Sequence, residues 1–128
     1  MINEKYLLSN VTERVIGCAM RVHSSLGSGF PEVIYQRALA LELEAGGVLF
    51  SRETAHPIFY RDVRIGSRIV DFLIQDQLLL ELKATSELTD AHFSQIINYL
   101  TAFKLEVGLL INFGQKSLQY RRFIKTNK

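Results

Sequence analysis

The chain has no tryptophan, only two prolines and a single cysteine in 128 residues. One cysteine excludes a disulfide framework and any cysteine-based zinc cluster. No apolar run approaches the roughly 18 residues of a membrane span, so no membrane partner is expected. Met1 to Asn10 lacks a basic stretch followed by an apolar one, so no secretory leader is expected and the expected compartment is the cytoplasm. A strong charge imbalance is missing too: 15 Lys and Arg stand against 13 Asp and Glu, a net +2. What is present is 48% apolar and 22% charged residues, too apolar for a disordered or fibrous chain. The length suits one domain over residues 1–128, able to bury about two-thirds of its unfolded surface without staples.

Charge becomes informative when divided. Residues 115–128 hold Lys116, Arg121, Arg122, Lys125 and Lys128 with no acid, or +5, which leaves −3 for the rest. A second basic cluster is Arg61, Arg64 and Arg68, beside Tyr60. Both clusters can grip phosphates of a nucleic acid. The plain alternative is a solvated edge whose charge discourages strand-to-strand association.

Hydrophobic spacing predicts a helix from Asn10 to Leu26, with Val11, Val15, Cys18, Ala19, Val22 and Leu26 on one stripe and a capping box from Asn10 to Glu13. Gly27-Ser28-Gly29 breaks it. Pro31 then opens a second helix to about Ala45, with Ile34, Ala38, Leu41 and Ala45 as its expected core stripe. The period then changes to two. Val48 to Glu53, Pro57 to Tyr60, Ile69 to Ile74 and Leu78 to Lys83 read as strands, with Arg61 to Arg68 as a turn region. A third helix runs from a Thr89 or Asp90 cap to about Phe103, and Val107 to Asn112 and Leu118 to Ile124 complete the set. The expected order is α-α-β-β-β-β-α-β-β, a mixed sheet with helices packed on it, in the α/β or α+β class.

Ile69–Ile74 and Leu78–Lys83 are apolar at both parities, so both faces of these strands are covered. Asp71, Glu81 and Lys83 are the ionisable residues inside them. A charge in such a position costs several kcal/mol unless it is paired or bound to a metal. Parity puts Glu81 and Lys83 on one face. A three-residue loop, Gln75-Asp76-Gln77, would set Asp71 opposite Glu81 on that same face. Two carboxylates so placed repel each other, and a divalent cation such as Mg²⁺ relieves the repulsion through oxygen ligands. Lys83 is then placed to orient or deprotonate a water, or to stabilise charge on a phosphate. At average residue usage the acid-x9-acid-x-Lys spacing arises by chance in roughly one chain in ten, so the strand context carries the weight. The alternative is a structural Asp–Lys–Glu ion network.

Asp71 followed by Glu81-Leu82-Lys83 resembles the PD-(D/E)XK nuclease superfamily. Gly29-Phe30-Pro31-Glu32-Val33-Ile34-Tyr35 resembles the signature of the GxxExxY family, and Leu109 to Gly114 a strand typical of it. Gln95-Ile96-Ile97-Asn98-Tyr99 is similar to the Q-x-x-x-Y motif of RecB-type nucleases. The resemblance runs from about residue 10 to about 124; one departure is Val70, where the superfamily name has Pro. It implies a restriction-endonuclease-like fold and a Mg²⁺- or Mn²⁺-dependent nuclease, with DNA the expected nucleic acid. A catalytically silent nuclease-fold module, binding nucleic acid or a partner protein, is the alternative. By the same resemblance Glu32, Asp71, Glu81 and the carbonyl of Leu82 hold the metal, Lys83 is the catalytic lysine, and Gln95 touches a metal-bound water or a phosphate. Tyr35, Tyr99 and the arginines 61, 64, 68, 121 and 122 are expected at the nucleic acid. A homodimer is expected by analogy alone. His23 and His56 have no partner at ligand spacing and are expected to be structural, as is Cys18 in the core.

Overall fold

The structure, a computed structural model, describes residues 8–125. Residues 1–7 and 126–128, and with them the expected absence of a leader and the basic Lys128, lie outside the described residues. Two helices come first, α1 (Ser9–Leu26) and α2 (Glu32–Ala45). Then follow β1 (Phe50–Tyr60), β2 (Val63–Ile74), β3 (Leu78–Lys83), α3 (Asp90–Phe103), β4 (Val107–Asn112) and β5 (Gln119–Ile124). The strands lie side by side in chain order. All neighbours are antiparallel except β3 and β4, which run parallel and need α3 as their crossover. The class is α+β. Among the described residues no helix is long and apolar enough to cross a membrane.

The sheet separates two apolar cores. Val15, Ala19, Leu39 and Leu43 of α1 and α2 pack with Phe72, Leu80 and Leu109 on one side. Ile96, Leu100 and Phe103 of α3 pack with Leu79 and Leu110 on the other. This explains why β3 is apolar at both parities: Leu78, Leu80 and Leu82 serve one core and Leu79 the other.

Three local expectations are corrected. The segment expected as three strands and a turn region is one long hairpin. Its turn is only Arg61-Asp62, both left-handed (φ 49° and 63°), the backbone that a two-residue hairpin turn requires. Pro57 does not break β1 because β1 is an edge strand, where the missing N–H is tolerated. The sheet therefore has five strands among the described residues rather than six.

The second correction concerns α2. Its buried stripe is Tyr35, Leu39 and Leu43, one position out of phase with the expected one, and Leu41 is 69% exposed. The ring of Tyr35 decides the phase by stacking on Phe113 at 4.6 Å. Third, the Asn10–Glu13 capping box does not form: α1 begins at Ser9, and Leu8 precedes it without a side-chain cap. The α3 cap is at Thr89, one of the two residues expected for it, and it forms a capping box: Thr89 N–H donates to Nδ1 of His92 at 3.1 Å, so His92 serves the helix terminus.

Tyr35 also departs from its expected place at a nucleic acid. Its relative exposure is 0%. Its hydroxyl donates to the Gly27 carbonyl at 2.5 Å and accepts from the Phe30 N–H at 3.3 Å. It clamps the loop before α2 and thereby fixes where Glu32 begins. Tyr35→Phe leaves both backbone groups short of a partner and is expected to cost about 1–2 kcal/mol in urea unfolding. An unchanged unfolding midpoint would remove this clamping role.

Candidate metal centre

The β2–β3 register is Phe72↔Leu80, Leu73↔Leu79 and Ile74↔Leu78, closed by the three residues between Ile74 and Leu78. One step further, Asp71 stands opposite Glu81, but the ladder ends before them. On the other flank Glu53 is left-handed (φ 51°), and the β1–β2 pairing skips from Arg52↔Phe72 to Thr54↔Val70. Asp71 thus occupies a break in two ladders, where its side chain replaces missing backbone partners. Its Oδ2 accepts the Leu82 N–H at 2.8 Å, and its Oδ1 accepts from Gln36 Nε2 at 2.9 Å.

Glu81 is buried at 6% exposure in the central strand. Its Oε1 has no hydrogen-bond partner. Burial first, and the neighbouring Asp71 carboxylate second, push its carboxyl up to about 9, against an opposing pull from Lys83. Lys83, half-buried at the end of β3, donates from Nζ to Gln95 Oε1 on α3 at 3.2 Å. Glu32, the first residue of α2, is raised by partial burial and then by Asp71, and lowered by Lys83. Gln36, one turn on from Glu32, ties the two acids together by donating also to Glu32 Oε1 at 3.3 Å. The Tyr99 hydroxyl is raised by burial and then by Glu81, so it too faces this cluster.

The structure therefore gathers Glu32, Asp71, Glu81, Leu82, Lys83 and Gln95 from α2, the β2–β3 hairpin and α3, with Tyr99 beside them. Of the five arginines expected at the nucleic acid, Arg68 joins the neighbourhood, its guanidinium 5.7 Å from the Tyr99 ring centroid. Arg61 and Arg64 belong to the exposed far end of the hairpin. Arg121 pairs with Leu110, which pairs with Glu81, two strand spacings or roughly 10 Å away. Its guanidinium lies 4.4 Å from the Phe93 ring centroid, a packing role on the edge strand. Arg122 points to the opposite parity of β5. Gln36 escaped the sequence reading. Its spacing of four from Glu32 on one helix flank is the signal that marks it.

Can these residues hold a divalent cation? Among the described residues no three His, Cys, Asp or Glu side chains form a ready cage. Mg²⁺ does not require one, since it binds through one or two carboxylates and keeps waters and phosphate oxygens as its other ligands. A buried Glu81 carboxyl raised by burial and by the neighbouring Asp71, with one oxygen left unpartnered, fits that donor set.

A mixed sheet between helical layers, with two acids and a lysine converging at a break in its central hairpin, is the architecture of a nuclease-like fold. The profile of the PD-(D/E)XK nuclease superfamily matches residues 9–123, and the chain belongs to that superfamily. The fold is similar to the crystal structure of SSO0001, with a TM-score of 0.61 at 16% identity. That match covers 76% of this chain and 52% of the other, so it spans about half the length of the solved protein. A search of curated proteins found no match.

Proposed function

We propose that the chain is a single-domain, Mg²⁺- or Mn²⁺-dependent nuclease of the GxxExxY branch, hydrolysing phosphodiester bonds of nucleic acid, DNA foremost, in the cytoplasm. The observation that carries the reading is Glu81: a carboxyl group buried beside a second carboxylate, one oxygen unpartnered, in the middle of a sheet. Asp71, Glu81 and the Leu82 carbonyl would hold the cation, with Glu32 on the rim. When bound, it supplies charge neutralisation at the phosphate and a more acidic water.

The chain's own residues do the rest. Lys83 presents a cationic donor to the phosphate oxygens or to the attacking water, where a preorganised charge in a partly desolvated site counts most. Gln95 restrains its ammonium group. Gln36 and the Leu82 N–H fix both oxygens of Asp71. The two cores on either side of β3 keep bulk water from Glu81.

The test is cleavage of labelled single-stranded, duplex and branched DNA and RNA with Mn²⁺. Lys83→Ala is expected to lose about 100-fold or more in rate while remaining folded. Undiminished cutting by a Glu81→Ala, Lys83→Ala double variant would reject the site. The alternative is the catalytically silent module. It predicts no cutting of any substrate and no shift of the thermal midpoint with cation, whereas a cation at 100 times its dissociation constant adds about 2.7 kcal/mol. Pairing of two copies would fall on the hairpin, where Phe59, Val63, Ile65 and Ile69 are exposed; a monomer in sedimentation excludes it.

A further inference from the structure

A cleft of about 510 Å³ lies between the β1–β2 hairpin and α3. Ile58 and Arg68 form its hairpin wall, and Ser94, Gln95, Asn98 and Tyr99 its helix wall. Two of its lining residues touch the carboxylate site: Gln95 accepts from Lys83, and the Tyr99 hydroxyl feels the Glu81 carboxylate. The cleft continues, past Ile58 and Asn98, into a second hollow of about 580 Å³ that reaches Lys104.

The chemistry of the walls is selective. Arg68 is the one charged residue lining the first hollow. Its guanidinium lies over Tyr99 and has no carboxylate within salt-bridge distance among the described residues. An arginine held by its face keeps its edge donors for a phosphate. Ser94 and Asn98, both exposed and one helical turn apart, offer a hydroxyl and an amide able to pair with a base edge or a sugar. The volume is that of a small-ligand pocket, enough for a nucleotide. A base pair buried in a duplex stack cannot enter it without being extruded.

We infer that this cleft seats one unpaired nucleotide of the substrate strand, its phosphate on Arg68, and delivers the adjoining phosphodiester to the carboxylate pair. The substrate class is then nucleic acid with unpaired residues, such as single strands, tails or flaps, rather than intact duplex. The inference rests on the nuclease reading for the chemical class of its ligand, and the test separates the two by measuring binding without cleavage.

Fluorescence anisotropy in EDTA would compare a labelled oligothymidylate with a blunt duplex of equal length, followed by cleavage of both with Mn²⁺. The wild type is expected to prefer the single strand. Arg68→Gln should weaken that binding about tenfold or more, the scale of one lost charge-assisted contact. Asn98→Glu should weaken it and Asn98→Lys tighten it, while Arg37→Gln, a charge-matched change on the exposed flank of α2, should leave it alone. All of these positions are exposed, and thermal melts verify folding. Cleavage of single strands with unaltered binding in the Arg68 and Asn98 variants overturns the cleft and leaves the nuclease reading intact. Equal or tighter binding of blunt duplex also overturns it. Strand binding that responds to these variants, without cutting under any cation, supports the cleft and defeats the nuclease reading; absence of binding defeats both.

Discussion

Glu81→Gln is expected to abolish cation-dependent activity and, in the cation-free protein, to make folding more stable above neutral pH. The sign follows from proton counting. The folded chain holds the Glu81 proton up to about 9, while the unfolded chain releases it near the ordinary 4.5. Between those values the unfolded state binds fewer protons, so stability falls as pH rises. The slope is about 1.4 kcal/mol per pH unit. The contribution is whole below about 4.5 and lost as pH passes through about 9. Glu32, also raised, adds in the same direction. From pH 5 to pH 8.5 the cation-free wild type should lose on the order of 10 °C of thermal midpoint. Glutamine carries no proton to release and should flatten most of that fall. Saturating Mn²⁺, which binds the deprotonated pair, should flatten it for the wild type alone. A wild-type midpoint constant or rising over this range would contradict the account.

The second large effect concerns the loop after Lys83. A Cβ at Gly114 would lie 2.2–2.7 Å from backbone atoms of Ala84 and Thr85, so the backbone itself must move. Beside it, Asn112 is buried at 0% exposure. Its Oδ1 accepts the Thr85 and Gly114 N–H groups, and its Nδ2 donates to the Thr85 carbonyl and to Gln119 Oε1, at 2.9–3.0 Å. Gly114→Ala is expected to cost about 4 kcal/mol by steric displacement. Asn112→Leu is expected to cost about 3 kcal/mol or more through orphaned backbone groups. Chemical denaturation measures both. Wild-type stability in Gly114→Ala would show that this loop is not held where the structure has it.

The central hairpin was legible from parity and loop length alone. The odd loop between Ile74 and Leu78 sets the register Phe72↔Leu80, one rung short of Asp71 and Glu81, and apolar residues at both parities mark the strands as covered on both faces. What could not be read depended on partners far along the chain. Tyr35 reads as an exposed binding residue until Phe113 and Gly27 close around it. The phase of α2 follows from that stacking and not from its own weakly amphipathic sequence. The long hairpin hid behind Pro57 and an Arg-Asp turn, neither of which signals continuous pairing unless the strand is known to lie at a sheet edge. Gln36 and Asn112 are neutral polar residues, which look like surface until the groups they bind are in place.

The parallel contact between β3 and β4 has a kinetic consequence. Antiparallel neighbours can zip from a short turn, but this pair closes only after α3 has been laid across the sheet. Lys83 and Asn112 face each other on the last rung of that contact, and the Lys83 carbonyl is capped by the Phe113 N–H. Lys83 is therefore expected to take its place later than the antiparallel hairpins form. Under the proposed nuclease reading, a half-folded copy in which this contact is still open would lack a competent centre.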